Sequence, residues 1–106
     1  MSNALAEYEK LVLVFAGKEG ISTGQMFGKL CLKVNGKAFI AQHKETVVFK
    51  LSAEPHAKAM ALADAQLWDP SGKGRPMKEW VALPATHAKK FAVLANAAMD
   101  YVLSLE

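Results

Sequence analysis

The residues best suited to chemistry lie in one glycine-rich loop, Gly72-Lys73-Gly74-Arg75. Glycines allow backbone amides to approach an anion closely, and Lys73 and Arg75 add positive charge. The loop lacks the spacing and the final Lys-Ser/Thr pair of a nucleotide-binding P-loop. We therefore predict anion or nucleic-acid contact at Lys73 and Arg75. The alternative is a solvated hairpin tip in which glycine and proline serve only the shape of the turn.

Lysines and tryptophans in the predicted strands form a second candidate group. The lysines are Lys29, Lys33, Lys37 and Lys50. A row of them along a sheet could contact nucleic acid, although lysines also protect strand edges from aggregation. Trp68 and Trp80 could stack on a base or on a ligand ring, and packing in a core or at an interface is the alternative.

The sequence shows no residue pattern typical of catalysis or of metal binding. No two of the three histidines have i, i+4 spacing, and the single cysteine, Cys31, has no second thiol to pair with. No nucleophile elbow and no pair of carboxylates in an apolar pattern is present. We expect a non-enzymatic protein without a cofactor or a metal, in which Cys31 is a buried thiol.

Length and composition favour one small α+β domain that spans residues 1–106. Apolar residues make up 52% of the chain, which indicates either alanine-rich helices or an additional buried surface such as a dimer interface. The net charge is +3, and Arg75 is the one arginine among 13 basic residues, which disfavours direct reading of DNA bases. Without a secretory signal or a transmembrane segment in the sequence, a cytoplasmic location is expected.

The elements that would position these residues centre on residues 26–52, which read as three antiparallel strands. Asn35-Gly36 is a strong signal for a two-residue type I′ hairpin turn. From this turn we expect Val34 to pair with Lys37, with the pairs Leu32–Phe39 and Leu30–Ala41 beyond it. The second turn, near residues 43–45, leaves open which face carries the apolar residues of the third strand.

Helical spacing of apolar residues predicts a first helix over residues 4–16, capped by Ser2 or Asn3, and a glycine-rich link follows over residues 17–24. Ser52 is expected to cap a second helix that ends at Asp64. Further strands are predicted at residues 66–68 and 78–83, and a last helix from Thr86 to about Leu103. The order α-β-β-β-α-β-β-α predicts a two-layer fold with one five-stranded antiparallel sheet covered by helices.

Two motifs give this chain a resemblance to a known family. Met26-Phe27-Gly28 opens a predicted strand that turns at Gly36, and Pro76-Met77 leads into Glu79-Trp80. Both resemble the TfoX N-terminal-domain family, over about residues 22–103, and YjbR-like proteins, often labelled DNA-binding, are a more distant comparison. The resemblance implies the same α+β order and a regulatory role of the kind linked to natural competence, here without a helical C-terminal domain.

Three hypotheses follow from the sequence. The first is a non-enzymatic regulatory domain that contacts an unknown protein partner and forms a homodimer. The second is weak nucleic-acid binding by a lysine-rich sheet face and the loop at 72–75, with Lys29, Lys33, Lys73 and Arg75 as contacts. The third, a small-ligand or enzyme domain, would need a deep cavity with converging polar groups. No membrane partner is expected.

Overall fold

The computed structural model describes residues 3–105, and within that range the chain has an α+β fold with one open antiparallel sheet. The helices are α1 (Ala4–Phe15), α2 (Ala53–Met60) and α3 (Phe91–Ser104), with a 3₁₀ helix, Ala85–Lys90, directly before α3. The strands are β1 (Ile21–Met26), β2 (Lys29–Val34), β3 (Lys37–His43), β4 (Thr46–Lys50), β5 (Gln66–Trp68) and β6 (Met77–Pro84).

The sheet has six strands, in the order β1-β2-β3-β4-β6-β5, and not the predicted five. The additional strand is β1, which includes the second half of the segment predicted as a glycine-rich link. Its sequence, Ile-Ser-Thr-Gly-Gln-Met, is mostly polar because β1 is an edge strand that buries little surface. All six residues of β1 pair regularly with β2, and this pairing sets the extended conformation of the strand. The pattern of apolar residues in the sequence does not reveal such pairing.

The Met26-Phe27-Gly28 motif forms a turn, whereas the sequence predicted that it opens a strand. Phe27 has φ 52° and Gly28 has φ 74°, so these two residues connect β1 and β2 in the left-handed region. The same arrangement occurs at Asn35-Gly36, with φ 51° and 80°, between β2 and β3. The predicted hairpin at Asn35-Gly36 is thus confirmed, and an equivalent one precedes it.

The register of the β2–β3 hairpin departs from the prediction because β3 contains one extra residue. Val34 pairs with Lys37 as expected, but Leu32 pairs with Ile40 and Cys31 with Ala41, so Phe39 forms a β-bulge. The expected pairs Leu32–Phe39 and Leu30–Ala41 are therefore wrong. Because a bulge shifts the alternation of faces by one residue, Phe39 and Ile40 both enter the helix-side core.

Helix ends differ modestly from the predictions. The side-chain oxygen of Asn3 accepts hydrogen bonds from the amides of Leu5 and Ala6, as an N-cap does, and Ser2 lies outside the described residues. Ser52 precedes α2 without a capping bond from its side chain, and α2 ends at Met60 rather than Asp64. The last helix is preceded by a 3₁₀ helix that begins at Ala85 and is kinked at His87, so Thr86 lies inside a helix and does not cap one.

Two apolar clusters lie on the two faces of the sheet. The larger, the helix-side core, joins buried residues of all three helices to strand residues that include Leu32, Phe39, Phe49 and Leu83. The sequence did not determine which face of the sheet carries Val47 and Phe49 of β4. Both residues belong to this core. No helix within residues 3–105 is both long enough and apolar enough to cross a bilayer.

Candidate functional site

The smaller cluster defines a face of the sheet to which the helices contribute no buried residue. We call it the helix-free face; its residues come from the strands alone. They are Cys31, Ala41, Val48, Trp68, Trp80 and Ala82, with Met26, Ala38 and Met77 packed around them. This face collects most of the residues that the sequence singled out for binding.

Three lysines project from the helix-free face. Lys29 and Lys33 flank Cys31 on the regularly paired strand β2, so all three side chains lie on the same face. Lys33 extends over β1, because a Cβ atom at Gly24 would lie 3.2 Å from the Lys33 Nζ. Lys50 pairs with Trp80, and its Nζ lies 6.0 Å from the centre of the Trp80 ring, within the range of a cation–π contact.

The charge on the helix-free face is not balanced by acidic neighbours. Among residues 3–105, the ion pairs are Lys10–Glu7 and Lys58–Glu54, both within helices, so none involves Lys29, Lys33 or Lys50. Glu79 is the one acidic residue in the six strands, and its carboxylate accepts a hydrogen bond from the Tyr101 hydroxyl of α3. This bond is the main reason that the pKa of Tyr101 is raised.

One end of the helix-free face is built around Trp68. Its Nε1–H donates a 2.7 Å hydrogen bond to Nδ1 of His43, and its ring packs against Trp80, with centroids 5.4 Å apart. Trp68 is only 2% exposed, so it serves packing and is not an open stacking surface. Burial, and then the charges of Lys29 and Lys44, lower the pKa of His43.

Phe27 is the aromatic side chain that remains open to solvent at this end. It is 63% exposed, and its ring meets Trp68 edge to face at 6.2 Å. Phe27 lines a shallow pocket of about 320 Å³ together with Arg75 and Met77, among others. The two halves of the family motif, about fifty residues apart in sequence, therefore meet here, whereas Gly36 lies apart in the β2–β3 turn.

The predicted anion-binding loop already holds a carboxylate of its own. Asp69 accepts hydrogen bonds from the hydroxyl of Ser71 and from the amides of Gly72, Gly74 and Arg75, at 2.8–3.2 Å. The hydrogen bond from Ser71, with those from the amides, lowers the pKa of Asp69. The amides predicted to cradle an external anion are thus engaged, and only the side chains of Lys73 and Arg75 remain to bind one.

Sequence reasoning missed this role of Asp69. The signal was present as Asp-Pro-Ser-Gly, since an aspartate at the start of a turn commonly accepts hydrogen bonds from amides two or more residues ahead. The glycines and positive charges of the loop indicated an external anion, whereas the carboxylate beside them takes that place.

A second surface lies where α1 passes the β1–β2 edge of the sheet. We call it the α1–β1 groove; its volume is about 560 Å³. It is lined by Tyr8, Glu9, Val12, Leu13, Thr23, Gly24, Gln25 and Leu30. Leu13 is 75% exposed at its rim, and Leu30 is 41% exposed. Neither composition nor periodicity indicated this groove, because it depends on β1, which the sequence did not predict.

The other residues that could carry chemistry, Cys31, His56 and His87, have structural roles. Burial raises the pKa of the Cys31 thiol, which keeps it in the unreactive protonated form. The Nε2 atoms of His56 and His87 lie 2.8 Å from the carbonyl oxygens of Lys78 and Ala63, which connects these histidines to other parts of the chain. Within the described range, no three His, Cys, Asp or Glu side chains group as metal ligands would.

Comparisons with protein-family models, with curated proteins and with solved structures give no match to this chain. The resemblance to the TfoX N-terminal domain and to YjbR-like proteins therefore stays a prediction.

Proposed function

We propose that this chain is a non-enzymatic protein-interaction domain, of the regulatory kind that the TfoX resemblance implies, and that the α1–β1 groove is its contact surface. The observation that carries the proposal is the group of large apolar side chains left open around this groove. Leu13 and Leu30 are exposed there, and Val12 is half-buried on the wall between them and the core. Exposed apolar side chains grouped around a groove are typical of protein-binding surfaces.

The energetics favour a partner at this groove. Complete burial of a leucine side chain contributes about 1.5–3 kcal/mol, so covering Leu13 and Leu30 supplies a useful part of a binding free energy. The groove is lined largely by apolar atoms, and Glu9 is the one charged residue on its walls. A partner can therefore enter the groove without desolvating several charges, which would oppose binding.

The proposal is tested by substituting the most exposed residue of the rim. We expect Leu13→Glu to abolish contacts that the wild-type chain makes, measured by capture from an extract of the source cells and by sedimentation of the purified chain. Val93→Glu is the matched control, because Val93 on α3 is 73% exposed and lies away from the groove. The proposal fails if the wild-type chain binds nothing, itself included, beyond what Leu13→Glu binds.

A second candidate function, weak binding of single-stranded nucleic acid, is favoured by the helix-free face. Lys29, Lys33 and Lys50 have no carboxylate partner among residues 3–105, and Phe27 offers an open ring at the end of the same face. Unpaired lysines can neutralise phosphates, and an exposed ring can stack on a base.

The salt dependence of binding, compared between lysine variants, tests whether the helix-free face is the binding surface. We expect the affinity for a single-stranded oligonucleotide to fall steeply with salt, with a logarithmic slope of about 0.7 for each phosphate neutralised. The double variant Lys29→Gln/Lys33→Gln should reduce that slope, whereas Lys89→Gln/Lys90→Gln, in the 3₁₀ helix, should not. Equal slopes for the two double variants would reject the helix-free face as the binding surface.

A further inference from the structure

β1 is the longer of the two edges of the sheet, and nothing in the described chain pairs with its outer side. It forms a ladder with β2 alone, and the opposite edge, β5, has only three residues. An unpaired edge exposes a row of amide and carbonyl groups that can hydrogen-bond to another strand.

This edge lacks the features that usually prevent strands from associating. The six residues of β1 include no lysine, no proline and no other charged residue. Its pairing with β2 is regular throughout, and the bulges of the sheet lie between other strands. Natural proteins commonly protect exposed edges with charge, proline or a bulge. An unprotected edge six residues long is therefore typical of a surface that is covered in the working protein.

The surface beside β1 is complementary to itself. A symmetric dimer buries the same patch on both copies, so one patch must contain both a projection and a cavity that receives it. Here Leu13 projects from α1 at the rim of the groove, and the groove lies directly beside it.

Charge does not oppose a second copy at the groove. The chain carries a net charge of +3, so two copies repel each other where their lysines meet. The residues of β1 are uncharged, and the walls of the groove contribute only Glu9. Lys33 reaches over β1 on the helix-free face, where the end of its flexible side chain can turn away from the second copy.

We infer that a second copy of this chain covers the edge: β1 pairs antiparallel with β1 of the other copy across a two-fold axis, and Leu13 of each copy enters the groove of the other. This inference rests on the proposed function and names its partner. A six-residue strand is about 20 Å long and buries too little alone, since a stable interface needs roughly 800 Å² per partner. The exposed leucines beside the strand supply the additional area.

A cysteine scan along β1 tests the geometry directly. In a two-fold antiparallel pair, the one residue on the axis faces its own counterpart, with Cβ atoms about 4.5–5.5 Å apart, near the range in which a disulfide forms. We expect one of Ser22→Cys, Thr23→Cys, Gly24→Cys and Gln25→Cys to form a cross-linked dimer on mild oxidation, well above the other three. Val93→Cys is the exposed control, and the buried native Cys31 stays in every variant.

Sedimentation at increasing concentration completes the test. The inference predicts a dimer for the wild-type chain, a monomer for Leu13→Asp and cross-linking at β1 above the Val93→Cys level. It is overturned if the chain stays monomeric, or if it dimerises while the β1 cysteines cross-link no better than the control. A monomer that captures a different protein through Leu13 refutes the inference and leaves the proposed function standing. A chain that neither dimerises nor captures a partner through Leu13 refutes both.

Discussion

The hydrogen bond from Trp68 to His43 gives the sharpest prediction about stability. Because the Trp68 indole is 2% exposed, removal of the acceptor leaves its N–H with little access to water. A buried donor left without an acceptor costs about 1–3 kcal/mol. We therefore expect His43→Leu to lower the free energy of unfolding by about 1–3 kcal/mol, with each kcal/mol shifting Tm by roughly 4–8 °C.

His43→Gln is the matched variant, because its side-chain oxygen can still accept a hydrogen bond from the indole. It should lose clearly less stability than His43→Leu. The measurement is urea unfolding followed by tryptophan fluorescence, with the Trp68 indole proton observed by NMR. If His43→Leu is as stable as the wild-type chain, or if the two variants lose equal stability, the hydrogen bond does not contribute as argued.

The same bond predicts a dependence on pH. The indole can donate only while Nδ1 of His43 carries no proton, and burial together with Lys29 and Lys44 lowers the pKa of His43 in the folded chain. The unfolded chain binds the proton near the usual pKa of about 6.5, before the folded chain does. The contribution to stability is therefore complete above about pH 6.5 and is lost as the pH falls towards the lower folded pKa.

The direction of this pH dependence can be checked by subtracting the unfolding free energies of two chains. The other titrating groups are common to the wild-type chain and His43→Gln, so the difference between their unfolding free energies isolates His43. We expect the advantage of the wild-type chain to shrink as the pH falls from 7.5 to 5. An advantage that stays constant or grows over that range would refute the assigned direction.

Three further predictions concern other sites. Asp69→Ala should speed hydrogen exchange at the amides of Gly74 and Arg75, which donate to the Asp69 carboxylate, whereas Asp64→Ala should leave exchange there unchanged. Phe27→Asn should raise the free energy of unfolding by up to about 1 kcal/mol in urea titrations, since asparagine adopts positive φ more readily and the lost ring is mostly exposed; a clear loss would contradict this. Cys31 should react with a thiol reagent far more slowly in the native chain than in denaturant.

The fold could be predicted from sequence where a local signal determined the backbone. Asn35-Gly36 favours positive φ at both positions, and the hairpin forms there as predicted. The bulge at Phe39 could not be predicted in the same way, because no turn residue marks it. It is favoured by packing, since it brings both Phe39 and Ile40 into the helix-side core.

The candidate site was predicted less well than the fold, and the reason is again physical. Lys29 and Lys33 share a face as the period of a strand requires, so their placement could be inferred. The groove beside α1 depends on β1, whose polar sequence gives no strand signal of its own. The engagement of the loop amides by Asp69 depends on turn geometry, which the glycines of the loop did not reveal.

The residues that carry the family resemblance have structural roles that this fold explains. Phe27, Gly28 and Gly36 occupy turn positions with positive φ, and Met26 and Met77 pack in the cluster of the helix-free face. None of these five lines the groove where we propose that a partner binds. A chain could therefore keep the whole motif, and with it the sheet, while a charged residue in place of Leu13 removes the contact. In chains that carry the motif, the residue at the position of Leu13 should therefore predict self-association better than the motif does.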